Sequence, residues 1–110
     1  MTFNRKLGLE PGDDPQTVKL VTRPDHEVMP GTIHFAVLAT TAEVAAASAA
    51  ESAVVPASVH LSLLRRAVPG TLIGRGKLIR RGRTVTVCEG EVEQDGKLVA
   101  KATVHFAVMS

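Results

Sequence analysis

The 110-residue chain has no tryptophan and no tyrosine, and its only aromatic residues are Phe3, Phe35 and Phe106. A core must therefore be built from valine, leucine, isoleucine and alanine, and stacking platforms for nucleic-acid bases are missing. A net charge of +2 adds no strong basic signature, so nucleic acid is not an expected partner. One cysteine, Cys88, excludes an internal disulfide and any metal site built on several thiolates. His26, His34, His60 and His105 show no metal-ligand spacing, so neither a metal nor a cofactor is expected. The opening "MTFNRKLGLEPGDDP" lacks the apolar h-region of a secretory signal, and low cysteine use fits a reducing compartment; a cytoplasmic location is the expectation. The apolar run 34–50 falls short of the ~20 residues a membrane span needs and carries Thr40, Thr41, Glu43 and Ser48, so no membrane role is expected.

What is present fits one domain over 1–110, long enough to bury roughly two-thirds of its unfolded surface. "TVKLVT" at 17–22 alternates Val18 and Leu20 with polar residues, the period of a strand. A loop punctuated by Pro24, Pro30 and Gly31 follows. No proline interrupts 32–55, and its alanines and leucine favour helix, which we place at about 33–50. Side chains this small would let a sheet approach closely. The remainder reads as strands: "VVPASVHLSLLR" sets Val59, Leu61 and Leu63 against Ser58, His60 and Ser62, and "RTVTVCEGEVEQ" and "KLVAKATVHFAVM" flank a hairpin turn at Asp95-Gly96. Gly82 marks a second hairpin. The order is strand, long helix, four antiparallel strands: an α+β fold in which one helix covers one face of the sheet. Its other face and its edges invite self-association.

Glu43 is the only charged residue in 35–50. Its neighbours three and four positions away are Ala39, Thr40, Ala46 and Ala47, so no cation sits at salt-bridging spacing on the helix. Burial would raise its pKa, and a carboxylate tuned toward neutrality serves as a general base or nucleophile. The competing account is a structural glutamate, either met by an arginine or lysine from a strand or exposed at a groove. His34, at the helix start, either bonds the local backbone or contacts a substrate. The basic run Arg80-Arg81-Gly82-Arg83 is either a solvated hairpin or an anion contact.

Taken together, "GTIHFAVLATTAEVAAASAA", "LLRRAVPG" and "LIRRGRTVTVCEGEVEQDGKLVAKATVHFAV" resemble the hotdog-fold acyl-CoA thioesterases of the phenylacetate (PaaI-like) group, over about residues 7–109. In that group a Gly-Thr-x-His-Gly-Gly segment opens the central helix, with the catalytic acid nine residues after the histidine. Gly31-Thr32-Ile33-His34 matches the opening, and Glu43 stands nine residues after His34. Arg65 to Gly70, Gly82-Arg83 and the hairpin Asp95 to Ala100 match further elements. Two positions depart: Phe35 and Ala36 replace the paired glycines, and Val28 replaces an asparagine. Phe35 still has a backbone amide.

The resemblance implies a curved antiparallel sheet of about five strands wrapped around one helix. It also implies hydrolysis of an acyl-CoA or related thioester, with Glu43 as base or nucleophile, His34 at the helix start and the Phe35 N–H stabilising the oxyanion. Arg80, Arg83 and Arg65 are the implied contacts to coenzyme A. Nine residues at ~1.5 Å rise put Glu43 ~13 Å beyond His34, too far to attack a carbonyl held at the helix start. A catalytic role therefore requires a second, oppositely running helix, hence a homodimer with composite sites, or a homotetramer of two such dimers. The alternative is a non-catalytic hotdog protein that binds an acyl thioester or another apolar ligand.

Overall fold

The long helix and the sheet meet through alanine on one side and glycine on the other. In the computed structural model, which describes residues 2–109, helix α2 (Phe35–Ala50) turns Ala42, Ala45, Ala46 and Ala49 toward the strands. A Cβ on Gly90 would collide with the Ala42 carbonyl oxygen, and one on Gly76 with the Ala45 carbonyl oxygen. The helix backbone thus lies directly against the strand backbones, closer than any larger residue would permit.

Before α2 come a short helix α1 (Phe3–Leu7), strands β1 (Glu10–Pro11) and β2 (Thr17–Val21), a 3-10 turn at Pro24–His26, and strands β3 (Glu27–Met29) and β4 (Thr32–Ile33). After it come β5 (Val54–Leu63), β6 (Thr71–Arg80), β7 (Val85–Gln94) and β8 (Lys97–Val108). All pairings are antiparallel, in a six-stranded sheet of order β1-β2-β6-β7-β8-β5 and a separate β3–β4 hairpin. The α+β architecture is the expected one, with β1 a short addition at the edge. Asp95 and Gly96 both adopt positive φ (51° and 76°), the conformation of a tight hairpin turn.

The helix starts two residues later than expected. Thr32 and Ile33 pair with β3 instead, and His34 becomes the N-cap. At the other end Glu51 takes a left-handed conformation, the Arg81 guanidinium donates to the Ala50 carbonyl at 2.7 Å, and the Gln16 amide donates to the Glu51 carboxylate at 2.9 Å. These contacts satisfy a helix end that has no glycine to stop it.

Leu20, Leu72, Val92, Val104 and Phe106 fill the space under α2. The opposite face of the sheet is polar: Glu89, Glu91 and Glu93 on β7 run between basic residues of β6 and β8, with ion pairs Arg75–Glu93 (3.1 Å) and Lys101–Glu89 (3.5 Å). The alternation expected along β5 is present, yet Val59 and Leu63 are exposed. Helix α2 lies mainly over β6 and β7, so that Leu61 and Val54 of β5 pack against the core while Val59 and Leu63 stay uncovered and the outer edge of β5 stays unpaired. Among the described residues, no helix is long and apolar enough to cross a membrane.

If backbone proximity sets the helix–sheet distance, Gly90→Ala should cost about 3 kcal/mol in urea unfolding, because a carbonyl oxygen must move. Gly96→Ala, strained only by its positive φ, should cost about 1–2 kcal/mol. Equal losses would show that the close approach is not what the glycine provides.

Candidate active site

The start of α2 is fixed from several sides. The His34 N–H donates to the His26 carbonyl (2.9 Å) and the Ile33 N–H to the Ala67 carbonyl (2.9 Å). His34 then caps the helix, its Nδ1 accepting from the Ala36 N–H at 3.0 Å. Its ring stacks on that of Phe35, centroids 4.9 Å apart, and the Phe35 ring stands 56% exposed. The Phe35 N–H itself has no acceptor among the described residues, as expected at the first position of a helix. This leaves one amide, at the positive end of the helix dipole, free to polarise a carbonyl.

His26 is 3% exposed. Its Nδ1 accepts from the Arg23 N–H at 3.1 Å, which assigns the proton of the neutral ring to Nε2. That Nε2 is buried without a hydrogen-bond partner among the described residues, with an Asp25 carboxylate oxygen 4.0 Å away. The Glu27 carboxylate accepts from the Gly31 N–H at 2.7 Å and is thereby committed to the β3–β4 turn.

Glu43 lies two turns along α2, eight residues or ~12 Å beyond Phe35. At 3.6 residues per turn it shares a stripe with Ala36, Ala39, Thr40 and Ala47, on the side of the helix turned from the sheet. It is half-buried and has no hydrogen bond or ion pair among the described residues, so the strand cation of the structural account is not found. Burial alone pushes its carboxyl above the ordinary value of 4.5.

A cleft of about 320 Å³ opens beside the helix start, walled by Ile33, Phe35, Leu38, Leu63, Leu64 and the backbone stretch carrying Arg65 and Ala67. Arg65 and Phe35 are thus brought together. Arg80 and Arg83 line a different cleft, of about 430 Å³, with Val85, Val87 and His105. They sit at the end of α2 where Arg81 meets Ala50, about one helix length (~24 Å) from Phe35. Glu43 lines neither cleft. The six residues singled out in the sequence therefore fall in three places: His34, Phe35 and Arg65 at the helix start, Glu43 midway, and Arg80 and Arg83 at the far end. Ser58 and His105 meet on the exposed face of the sheet, Oγ to Nδ1 3.1 Å. Among the described residues no cluster of His, Cys, Asp or Glu could hold a metal ion. Gln94, also unremarked in the sequence, is 7% exposed and clamps the 64–70 loop, accepting from the Val68 N–H (3.0 Å) and donating to the Val68 carbonyl (2.6 Å).

A six-stranded antiparallel sheet packed on one long helix is the architecture of the hotdog fold. The model of the acyl-CoA thioesterase N-terminal domain matches residues 24–107, and the chain belongs to that family. The phenylacetic acid degradation protein PaaI of Thermus thermophilus, solved in a mutant form, superposes with a TM-score of 0.87 over 97% of this chain and 98% of its own, at 27% identity. The PaaI protein of the E. coli phenylacetic acid degradation operon superposes with a TM-score of 0.87 over 97% of this chain and 83% of its own; at 21% identity the likeness is one of fold. In sequence, a 3-hydroxyacyl-acyl-carrier-protein dehydratase of Streptococcus suis is 37% identical over 90 residues, covering 77% of this chain and 64% of that protein. The chain therefore spans slightly less than two-thirds of the length of such curated relatives.

Burial of Glu43 couples its protonation to the stability of the fold. Between the ordinary glutamate value and the higher folded value, the folded state holds the proton more tightly than the unfolded state does. The contribution of Glu43 to stability is thus fully present below about pH 4.5 and is lost as pH rises through the folded pKa. Glu43→Gln should accordingly melt higher than the unaltered protein at pH 7, and the difference should shrink steadily toward pH 4. A difference independent of pH would mean that desolvation is not acting on this carboxylate.

Proposed function

We propose that the protein hydrolyses the thioester of an acyl-CoA or a related acyl thioester, with Glu43 as general base on water or as nucleophile. The observation that carries this reading is a half-buried carboxylate with no counter-charge among the described residues, on the central helix of an acyl-CoA thioesterase-family fold. A fold gains nothing from such a group, since desolvation makes its ionised form costly. A reaction that needs a proton removed near neutral pH does gain. The free Phe35 N–H would stabilise the oxyanion as water or the carboxylate adds to the carbonyl carbon, with His34 holding the amide in position through the helix cap. The thiolate then leaves and takes up the proton that Glu43 removed from water; where Glu43 itself adds to the carbonyl, water next hydrolyses the acyl anhydride on Glu43, which releases the acid and frees the carboxylate.

The ~12 Å between Phe35 and Glu43 makes this chemistry intermolecular. A second copy of the chain, its helix running the other way, would place its own Glu43 near the first copy's Phe35. The unpaired edge of β5 and the exposed Val59 and Leu63, both on its helix-side face, supply an apolar surface for that homodimer, which could pair again into a tetramer. Arg65 would meet a ligand lying in the apolar cleft. Arg80 and Arg83 would meet the phosphates of a ligand entering from the far end of the helix.

On a panel of acyl-CoA thioesters followed by thiol release, Glu43→Gln should lower kcat at least about 100-fold. The activity of the unaltered protein should fall as pH drops through the raised Glu43 pKa. Equal turnover by both proteins sinks the mechanism. The 37% identity to a dehydratase supports a second reading, loss of water from a 3-hydroxyacyl thioester. In that case a conjugated enoyl product would accumulate without thiol release. Tight binding with neither product would assign a non-catalytic acyl-thioester binder.

A further inference from the structure

The buried His26 bonds to the chain on both sides of it. Its N–H donates to the Arg23 carbonyl (3.0 Å) and its Nδ1 accepts from the Arg23 N–H (3.1 Å), and together these close the Pro24–His26 turn. Its carbonyl accepts from the His34 N–H (2.9 Å). The turn is fastened outward as well, because the Arg23 guanidinium donates to the Lys6 carbonyl of α1 (2.9 Å) and to the Asp25 carboxylate (3.1 Å). The His26 Nε2 takes no part in this and lies 4.0 Å from an Asp25 carboxylate oxygen, too far for a hydrogen bond. Leaving a buried donor unmet is costly, and leucine would fill much the same space without that cost. What leucine lacks is the acceptor at the δ position, on which the closed turn depends.

The turn bears on the Phe35 amide through the residue before it. At the start of α2 the His34 N–H is held by the His26 carbonyl, the Ala36 N–H by the His34 Nδ1 (3.0 Å) and the Val37 N–H by the His34 carbonyl (3.0 Å). Between these tied amides the Phe35 N–H is free, and its direction follows the His34 backbone, extended at φ −63° and ψ 139°. His34 is in turn placed by the His26 carbonyl. We propose that His26 is a positioning residue: by closing its turn through Nδ1 it fixes the carbonyl that holds His34, and so aims the Phe35 N–H at the carbonyl oxygen of the substrate. The role rests on the thioester reading for the reaction it serves. It adds to that reading a residue that touches neither the substrate nor the reacting atoms, and every bond in the relay lies within one chain.

The test uses the acyl-CoA that the protein hydrolyses fastest. Asparagine carries an oxygen where histidine carries Nδ1, so His26→Asn keeps the turn and should stay within about threefold of the unaltered kcat. His26→Leu keeps the bulk and loses the acceptor. Its kcat should fall about 10- to 100-fold with KM within about twofold, since a donor displaced by ~1 Å fails the transition state more than the bound ester. Amide hydrogen exchange reads the geometry directly: in His26→Leu the His34 N–H should exchange at least about tenfold faster, while that of the buried Val104 in β8 keeps its rate. Should His26→Leu not fold, His26→Gln, whose polar atoms lie one carbon further out, takes its place. An unchanged kcat in the variant lacking the acceptor overturns the inference, as does an equal loss in His26→Asn. So does faster exchange at His34 and Val104 alike, the mark of a residue that only stabilises the fold. If the unaltered protein releases no thiol, the hydrolase reading ends and the His34 exchange rate alone decides the positioning role. Normal turnover that none of these variants moves ends the positioning role and leaves the hydrolase reading standing.

Discussion

The contact of α2 with Gly76 and Gly90 is the constraint on which the rest of the structure depends. With three aromatic residues in the whole chain, bulky side chains cannot fill a wide gap between helix and sheet. Closing the gap is the other solution, and it needs alanine on the helix and glycine on the strands. The alanines that make this approach possible are also good helix formers, so local preference and tertiary packing agree over the same residues. Because the helix then sits over β6 and β7, β5 is left with Val59 and Leu63 uncovered and an open edge.

The side of α2 that the sheet does not use is where the fold's own logic ends. Ala36, Ala39 and Ala47 would be satisfied by any neutral surface, but Glu43 among them is not. Its half-burial in the isolated chain raises its pKa, and covering the stripe by a second copy would raise it further. A carboxylate whose position costs stability near neutral pH, on the helix that organises the fold, is better accounted for by the chemistry proposed for it than by packing.

Much of this was legible in the sequence, because the strongest signals are local. An alanine-rich stretch without proline marks α2, Asp95-Gly96 marks the β7–β8 turn, and the absence of a cation near Glu43 along the helix is visible by counting. What stayed hidden depends on residues far apart in the chain. Thr32 and Ile33 look as helical as their neighbours until β3 pairs with them. Nothing local says that His26 is buried or that Gln94 reaches Val68, 26 positions away. The alternation in β5 correctly identifies an apolar face, but whether it is covered depends on where α2 lies. The spacing of His34 and Glu43 likewise fixes their separation without saying what fills it. The arginines at 65 and 80–83 look equivalent on paper, and only the folded chain sends them to opposite ends of one helix.

The order of strands also has a consequence for how the chain is made. β8 lies between β7 and β5, with Val54 opposite Val108, 54 residues later in the chain. During synthesis β5 emerges long before the strand it must pair with, and it waits with Val55, Val59 and Leu63 unprotected while β6 and β7 are translated. The sheet closes only when the residues of β8 have left the ribosome. The β5–β8 ladder, like that of β2 with β6, is a long-range pairing, of the kind that carries a high loop-closure cost. Until then the nascent chain displays the same apolar strand that the proposed dimer would cover.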